Sequence, residues 1–171
     1  MLYADVDDVA VAHSRLLLDG TPDAAVIQAD LRDPAAILAD PETQLLLDFT
    51  RPVGLLLVAV LHFLQDADNP HQIVARLRDA LAPGSYLVVC HACRDASPDA
   101  TAAAETVYRS RVAAKGRART RAEIAGFFDG FTLVDPGLVW MSQWRPDNPE
   151  DVPEDPEKFW FLAGAGRLGP P

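Results

Sequence analysis

Cysteine is scarce in this chain, with 2 among 171 residues. No disulfide framework can therefore staple a secreted fold, and a reducing, cytoplasmic compartment is the expectation. Basic residues are in deficit, 15 against 25 acidic ones, for a formal net charge of −10. A phosphate backbone is repelled overall, which argues against a nucleic-acid partner. Long apolar runs are missing too. The longest, Val53 to Leu61, falls far short of the ~20 residues a helix needs to cross a bilayer. The acidic start, Met1-Leu2-Tyr3-Ala4-Asp5-Val6-Asp7-Asp8, is opposite in charge to a signal peptide. What is present is a globular composition: 49% hydrophobic, 23% charged, mean hydropathy +0.03. The length suits one domain, spanning residues 1–168, with 169–171 as a frayed tail.

Short apolar runs alternate with amphipathic stretches. Leu2 to Val6 reads as a strand, and Asp7 or Asp8 can cap a helix from Val9 to Asp19, because a carboxylate accepts from the free N–H groups of a first turn. On that helix Ala10, His13 and Leu17 share one face. Ala25 to Gln28 reads as a second strand. Asp33-Pro34 looks like an N-cap followed by proline at the first helical position, with a break near Pro41. Val53 to Leu61 is the strongest strand and reads as buried on both faces. Asn69-Pro70 starts another helix, with Ile73, Val74, Leu77 and Leu81 as its apolar stripe, and Pro83-Gly84 ends it before a strand at Tyr86 to His91. Ser97-Pro98 opens an alanine-rich helix towards Ala114. Thr120-Arg121-Ala122-Glu123 is a capping box. Phe131 to Val139 and Phe159 to Ala165 are the last strands, separated by a proline-rich acidic loop. This order implies an α/β fold, Rossmann-like and doubly wound, its sheet mostly parallel with a C-terminal antiparallel pair at the edge.

Ligands of such sheets sit at the carboxyl ends of the strands, and three strand ends carry candidate chemistry. Asp5 can accept both hydroxyls of a ribose, or it belongs to the helix cap. Asp30-Leu31 can accept from an adenine amine and cover the ring, or it forms a solvated turn. His62, after Ala59-Val60-Leu61, has a ring that titrates near neutrality and can serve as a base; a hydrogen-bonded structural histidine is the plainer reading. Cys90-His91-Ala92-Cys93 lacks the second pair that a closed zinc site needs, so no metal is expected and two buried thiols fit better. Arg109, Arg111, Lys115, Arg117, Arg119 and Arg121 either hold an acidic substrate or form a solvated helix end. Trp140 and Trp144 either wall a pocket or pack at a rim.

In order and spacing, these strand ends resemble class I S-adenosylmethionine-dependent methyltransferases, and more closely a bacterial family of S-adenosyl methyltransferases of unassigned substrate. The resembling text is Leu2-Tyr3-Ala4-Asp5-Val6-Asp7, Gln28-Ala29-Asp30-Leu31-Arg32-Asp33-Pro34, Arg51 through Phe63, Leu81-Ala82-Pro83-Gly84-Ser85-Tyr86-Leu87 and Phe127-Phe128-Asp129-Gly130. The resemblance implies S-adenosylmethionine as cofactor. It implies Asp5 on the ribose, Val6 on the adenine, Asp30 at the adenine amine and Leu31 against the ring. Ala59 and Val60 would line the methionine portion, and His62 would follow in the substrate pocket. The acceptor would be a small molecule.

The family pattern also has a first strand and a glycine-rich loop, and Met1 falls within what would be its second strand. The missing strand would lie between those at Leu2 and Val53, leaving two inner edges either unpaired or paired to each other. Three lost cofactor hydrogen bonds at ~1 kcal/mol each would weaken binding roughly a hundredfold. The chain is then either a truncated methyltransferase or a short form. The short form would be a non-catalytic interaction module or pseudoenzyme, associating with itself through its exposed strand edges.

Overall fold

The computed structural model describes residues 1–96 and 116–169. Strand β1 (Leu2–Asp5) leads into helix α1 (Asp8–Leu17), and β2 (Ala25–Gln28) follows. Asp7 is the N-cap of α1, its carboxylate accepting from the amides of Val9 and Ala10 at 2.9 Å each. The buried side of α1 is not the one its spacing suggests. Val11 is the buried residue, with Ala10, Ser14 and Leu18 partly covered, while Val9, Leu16 and Leu17 face out. Apolar residues nearly ring this helix, so periodicity alone does not choose its inner face.

Helices α2 (Pro34–Ala39) and α3 (Pro41–Leu46) each begin with proline behind an aspartate cap. Asp33 accepts from the Ala36 amide at 3.1 Å and Asp40 from that of Glu42 at 2.9 Å. Strand β3 (Gly54–Val58) pairs in parallel with β4 (Tyr86–Ala92), and α4 (Pro70–Asp79) crosses between them. Asn69 precedes α4 in the left-handed region at φ 53°, and its side chain makes no cap bond. It serves the backbone turn rather than capping, a use for which asparagine is suited. Thr120 and Glu123 form the expected capping box of α5 (Arg121–Ala125). The helix expected from Ser97 lies outside the described residues.

The C-terminal pattern differs from expectation. The stretch expected as one strand from Phe131 to Val139 divides into β5 (Phe131–Leu133) and β6 (Val139–Trp140), with Pro136 and Gly137 between them. The last strand, β7 (Phe161–Leu168), is not at the edge. It runs antiparallel between β4 and β5 and also pairs with β6. Its glycines allow this position: a Cβ on Gly166 would lie 2.8 Å from the Phe131 Cβ and 3.0 Å from the Phe128 ring.

Two sheets result, β1–β2 and β3–β4–β7–β5. No ladder joins β1 to β3, so the outcome for the two inner edges is that they stay apart. The core lies on one face of the larger sheet. Leu57, Leu87, Val89 and Leu162 pack there against Ile73, Val74 and Leu77 of α4 and against Ile124, Phe127 and Phe128. The opposite face of β3 is open: Leu56 is 65% and Val58 51% exposed. A strand buried on both faces was the expectation; β3 is covered on the face where Leu55 and Leu57 meet α4 and the rest of the core, and among the described residues no layer lies over the other face.

Candidate functional site

The parallel register of β1 and β2 sets the first two candidates side by side. Asp5 closes β1 opposite Gln28, and Asp30 lies two residues beyond Gln28. The Ala29 amide donates to the Asp5 carbonyl at 2.9 Å, continuing the ladder. Both residues thus stand at the carboxyl end of one sheet. Asp5 is not the helix cap, since Asp7 fills that role. Its Oδ1 accepts from the Asp7 amide at 2.9 Å, turning the chain sharply into α1, and the residue stays exposed. Val6, next in line, is 61% exposed.

Asp30 is oriented by Arg32, whose Nε lies 2.9 Å from each carboxylate oxygen and whose Nη2 lies 2.5 Å from Oδ2. The Arg32 guanidinium holds this carboxyl below the usual carboxylate range. A carboxylate offers about four acceptor positions, so Asp30 keeps acceptor capacity while its direction is fixed. Leu31 and Val60 pack against the same core cluster, which brings the second and third strand ends to a common support.

At the end of β3 the Ala59 amide donates to the Cys90 carbonyl at 2.9 Å. The backbone of Ala59 then turns into the left-handed region, φ 54°, a conformation that costs a non-glycine residue roughly 1–2 kcal/mol. Val60 leads into a single 3₁₀ turn, Leu61–Phe63. His62 does not stand in an open pocket. It is 1% exposed, with its ring against Phe63 at 4.4 Å and edge-on to His91 and Phe161 at 5.7 Å. Burial, and then the charge of Arg119, push its pKa down to about 4. A ring so enclosed and so weakly basic is a packed structural histidine rather than a general base.

Chemically, Asp5 and Asp30 can only accept hydrogen bonds when ionised, so this end of the sheet suits a ligand that presents donors, with exposed Val6 and partly covered Leu31 as neighbouring apolar surface.

The remaining candidates are elsewhere. Cys90 and Cys93 are free, buried thiols whose pKa values burial raises. The basic cluster is neither a solvated patch nor an anion cradle where it is described. Arg117 pairs with Asp66 at 2.5 Å, Arg121 donates to the Leu138 carbonyl and lies over the Trp140 ring, and Arg119 is buried. Arg109, Arg111 and Lys115 fall outside the described residues. Trp140 packs on the core, and Arg145 stacks on Trp144.

A model of the S-adenosyl methyltransferase family matches residues 1–169. The chain belongs to that family. Two solved structures are similar in sequence as well as shape. A candidate methyltransferase of Thermobifida fusca YX is 37% identical with a TM-score of 0.88 over 99% of this chain and 63% of its own. A DUF574-family protein of Streptomyces avermitilis is 35% identical, also at 0.88, over 98% of this chain and 64% of its own. This chain thus spans less than two thirds of either relative. The N-methyltransferase NodS of Bradyrhizobium japonicum, solved with S-adenosyl-L-homocysteine, shares the fold at 13% identity and a TM-score of 0.57, over 99% of this chain and 66% of its own. No curated protein matches the chain.

In this member of the methyltransferase family, two roles are not legible from the chain: Arg32 follows Asp30 closely enough that an Asx-type turn could suggest their pairing, whereas Arg119, one of the basic cluster, alternates with two other arginines and nothing in the pattern marks it as the buried one.

Proposed function

We propose that this chain forms the nucleoside-holding part of an S-adenosylmethionine-dependent methyltransferase acting on a small-molecule acceptor. The observation that carries the reading is that Asp5 and Asp30 stand together at the carboxyl end of one sheet, each held by its own hydrogen bond, with Val6 and Leu31 beside them. In this reading Asp5 accepts from the ribose hydroxyls and Asp30 from the adenine amine. Val6 and Leu31 flank the ring, and Ala59 and Val60 border the methionine portion. When bound, the cofactor would supply a sulfonium methyl for transfer to an acceptor lone pair. The chain's own contribution is to bind and orient. His62 takes no proton here; it supports the loop beneath the site.

Titration with S-adenosyl-L-homocysteine, followed by nitrogen-15 NMR, tests the reading. Saturable, weak binding with shifts centred on residues 5–6, 30–31 and 59–60 is expected. Asp5→Ala removes charge-assisted hydrogen bonds, each contributing about 1.5–3 kcal/mol, so affinity should fall at least about tenfold. Absence of saturable binding, or an affinity indifferent to Asp5, refutes it.

A second reading, self-association as an interaction module, draws on the inner edges of β1 and β3, which pair with no strand among the described residues, and on exposed Leu56 and Val58. Light scattering separates the two: an obligate oligomer that ignores S-adenosyl-L-homocysteine supports the module.

A further inference from the structure

We propose that Arg119 is a positioning residue that holds the loop after β3, residues 59–64, in the shape that borders the cofactor; this rests on the reading above. Its side chain is 2% exposed. The guanidinium donates to the Leu61 carbonyl at 3.1 Å and to the Leu64 carbonyl at 2.9 Å, and Nη1 reaches His91 Nε2 at 2.9 Å. Its own backbone is fixed to the end of β4: the Arg119 amide donates to the Ala92 carbonyl at 3.1 Å, and the Arg94 amide donates to the Arg119 carbonyl at 2.9 Å. One side chain therefore ties both ends of the 3₁₀ turn to β4. The neighbouring Arg117 amide adds a bond to the His62 carbonyl at 2.7 Å.

A buried cation is costly, and apolar residues of the same volume are often at least as stable. The carboxylate paired with it, Asp66, is 3.6 Å away and itself largely exposed, so backbone carbonyls and an imidazole carry most of the charge. That arrangement gains little in stability but a great deal in definition, because a planar fork meets three acceptors in only one geometry. The loop needs such definition. Ala59 sits in a left-handed conformation that an alanine does not hold unless its surroundings impose it, and Leu61 and Leu64, the two residues whose carbonyls Arg119 grips, lie just beyond it.

The test compares amide exchange and S-adenosyl-L-homocysteine affinity in the unaltered chain and in Arg119→Lys, which keeps the charge and loses the fork. In the unaltered chain the amides of Ala59, Phe63 and Leu64 should exchange about as slowly as those of Val89 and Leu162. In Arg119→Lys the loop amides should exchange roughly tenfold faster or more while Val89 and Leu162 change little, and affinity should fall roughly tenfold at a temperature where both proteins are fully folded. A role confined to core stability would instead shift loop and core amides together. Unchanged loop exchange, or unchanged affinity, overturns the proposal. If Arg119→Lys does not fold, the unaltered chain decides: loop amides as protected as β4 support the proposal, and loop amides that exchange freely overturn it. If the unaltered chain binds no S-adenosyl-L-homocysteine, the methyltransferase reading fails and takes the cofactor role of Arg119 with it, whereas binding that is kept in Arg119→Lys removes the positioning role alone.

Discussion

Acidification should destabilise this protein well above the pH at which carboxylates protonate, and two buried histidines set the window. Burial pushes His62 and His91 down to about 4 from an ordinary 6.5, and the Arg119 charge adds to the shift in both. His91 is held neutral by geometry as well: its Nδ1 lies 2.8 Å from the Ala92 carbonyl and its Nε2 faces an Arg119 donor, an arrangement that leaves no place for a second ring proton. A group with a depressed folded-state pKa that is charged when protonated is carried as the neutral form by the fold and as the cation by the unfolded chain. The unfolded state then binds more protons between pH 6.5 and about 4, so stability rises with pH through that window and is lost as pH falls. From these values each ring removes about 2 kcal/mol by pH 5 relative to pH 7.5, and the pair about 4 kcal/mol, a large part of a typical domain's margin. Urea titrations at pH 7.5, 6 and 5 should show the midpoint falling steadily at constant m-value. His62→Phe should flatten that dependence by about half. A stability unchanged between pH 7.5 and 5 refutes the enclosure of the two rings.

Three further outcomes follow from packing. Gly166→Ala places a methyl within 2.8 Å of Phe131 and should cost about 1–3 kcal/mol by forced repacking, read as a lowered urea midpoint. Leu57→Ala should cost about 2–5 kcal/mol because it opens the core, while Leu56→Ala, one residue away on the open face, should stay within about 0.5 kcal/mol; equal costs would show that β3 is covered on both sides. Ala59→Gly relieves a left-handed alanine and should raise stability by up to about 1 kcal/mol, and a loss instead would mean that the methyl group makes packing contacts the turn requires.

Element identity was legible wherever the signal was local. Asp7, Asp33 and the Thr120–Glu123 pair announce helix starts through side chains that act within three residues, and each acts as its pattern implies. The strand ends carrying Asp5, Asp30 and Ala59 could likewise be placed by counting along short apolar runs. Facing was less legible. The apolar residues of α1 and β3 exceed what the fold covers, so no periodicity could say that Val9, Leu16, Leu56 and Val58 would be exposed. Nor could the sequence place β7 in the middle of the sheet: that position follows from Phe128 and Phe131 closing over Gly164 and Gly166, a contact between segments more than thirty residues apart in sequence. Arg119 shows the same limit most sharply, since a charged residue in a charged stretch reads as solvated until its carbonyl partners, some fifty residues upstream, are known.

The division into two sheets bears directly on how the site can work. Asp5, Val6, Asp30 and Leu31 belong to β1 and β2, whereas Ala59 and Val60 belong to the larger sheet, and no backbone ladder spans the gap. Among the described residues, the two halves meet through packing: α3 packs on β1 and β2, α2 packs on α4, and Leu31 and Leu38 reach the main core. Side-chain packing of partly buried residues yields more readily than a hydrogen-bonded ladder, so, on the proposed function, the spacing between the two sheets is the softest dimension of the site. Each half is nonetheless stiff within itself, through the Arg32–Asp30 fork on one side and the Arg119 grip on the other. On the proposed function, a ligand that bridges both halves must expend part of its binding free energy in fixing their separation, which limits its affinity even where the proposed contact residues are in place.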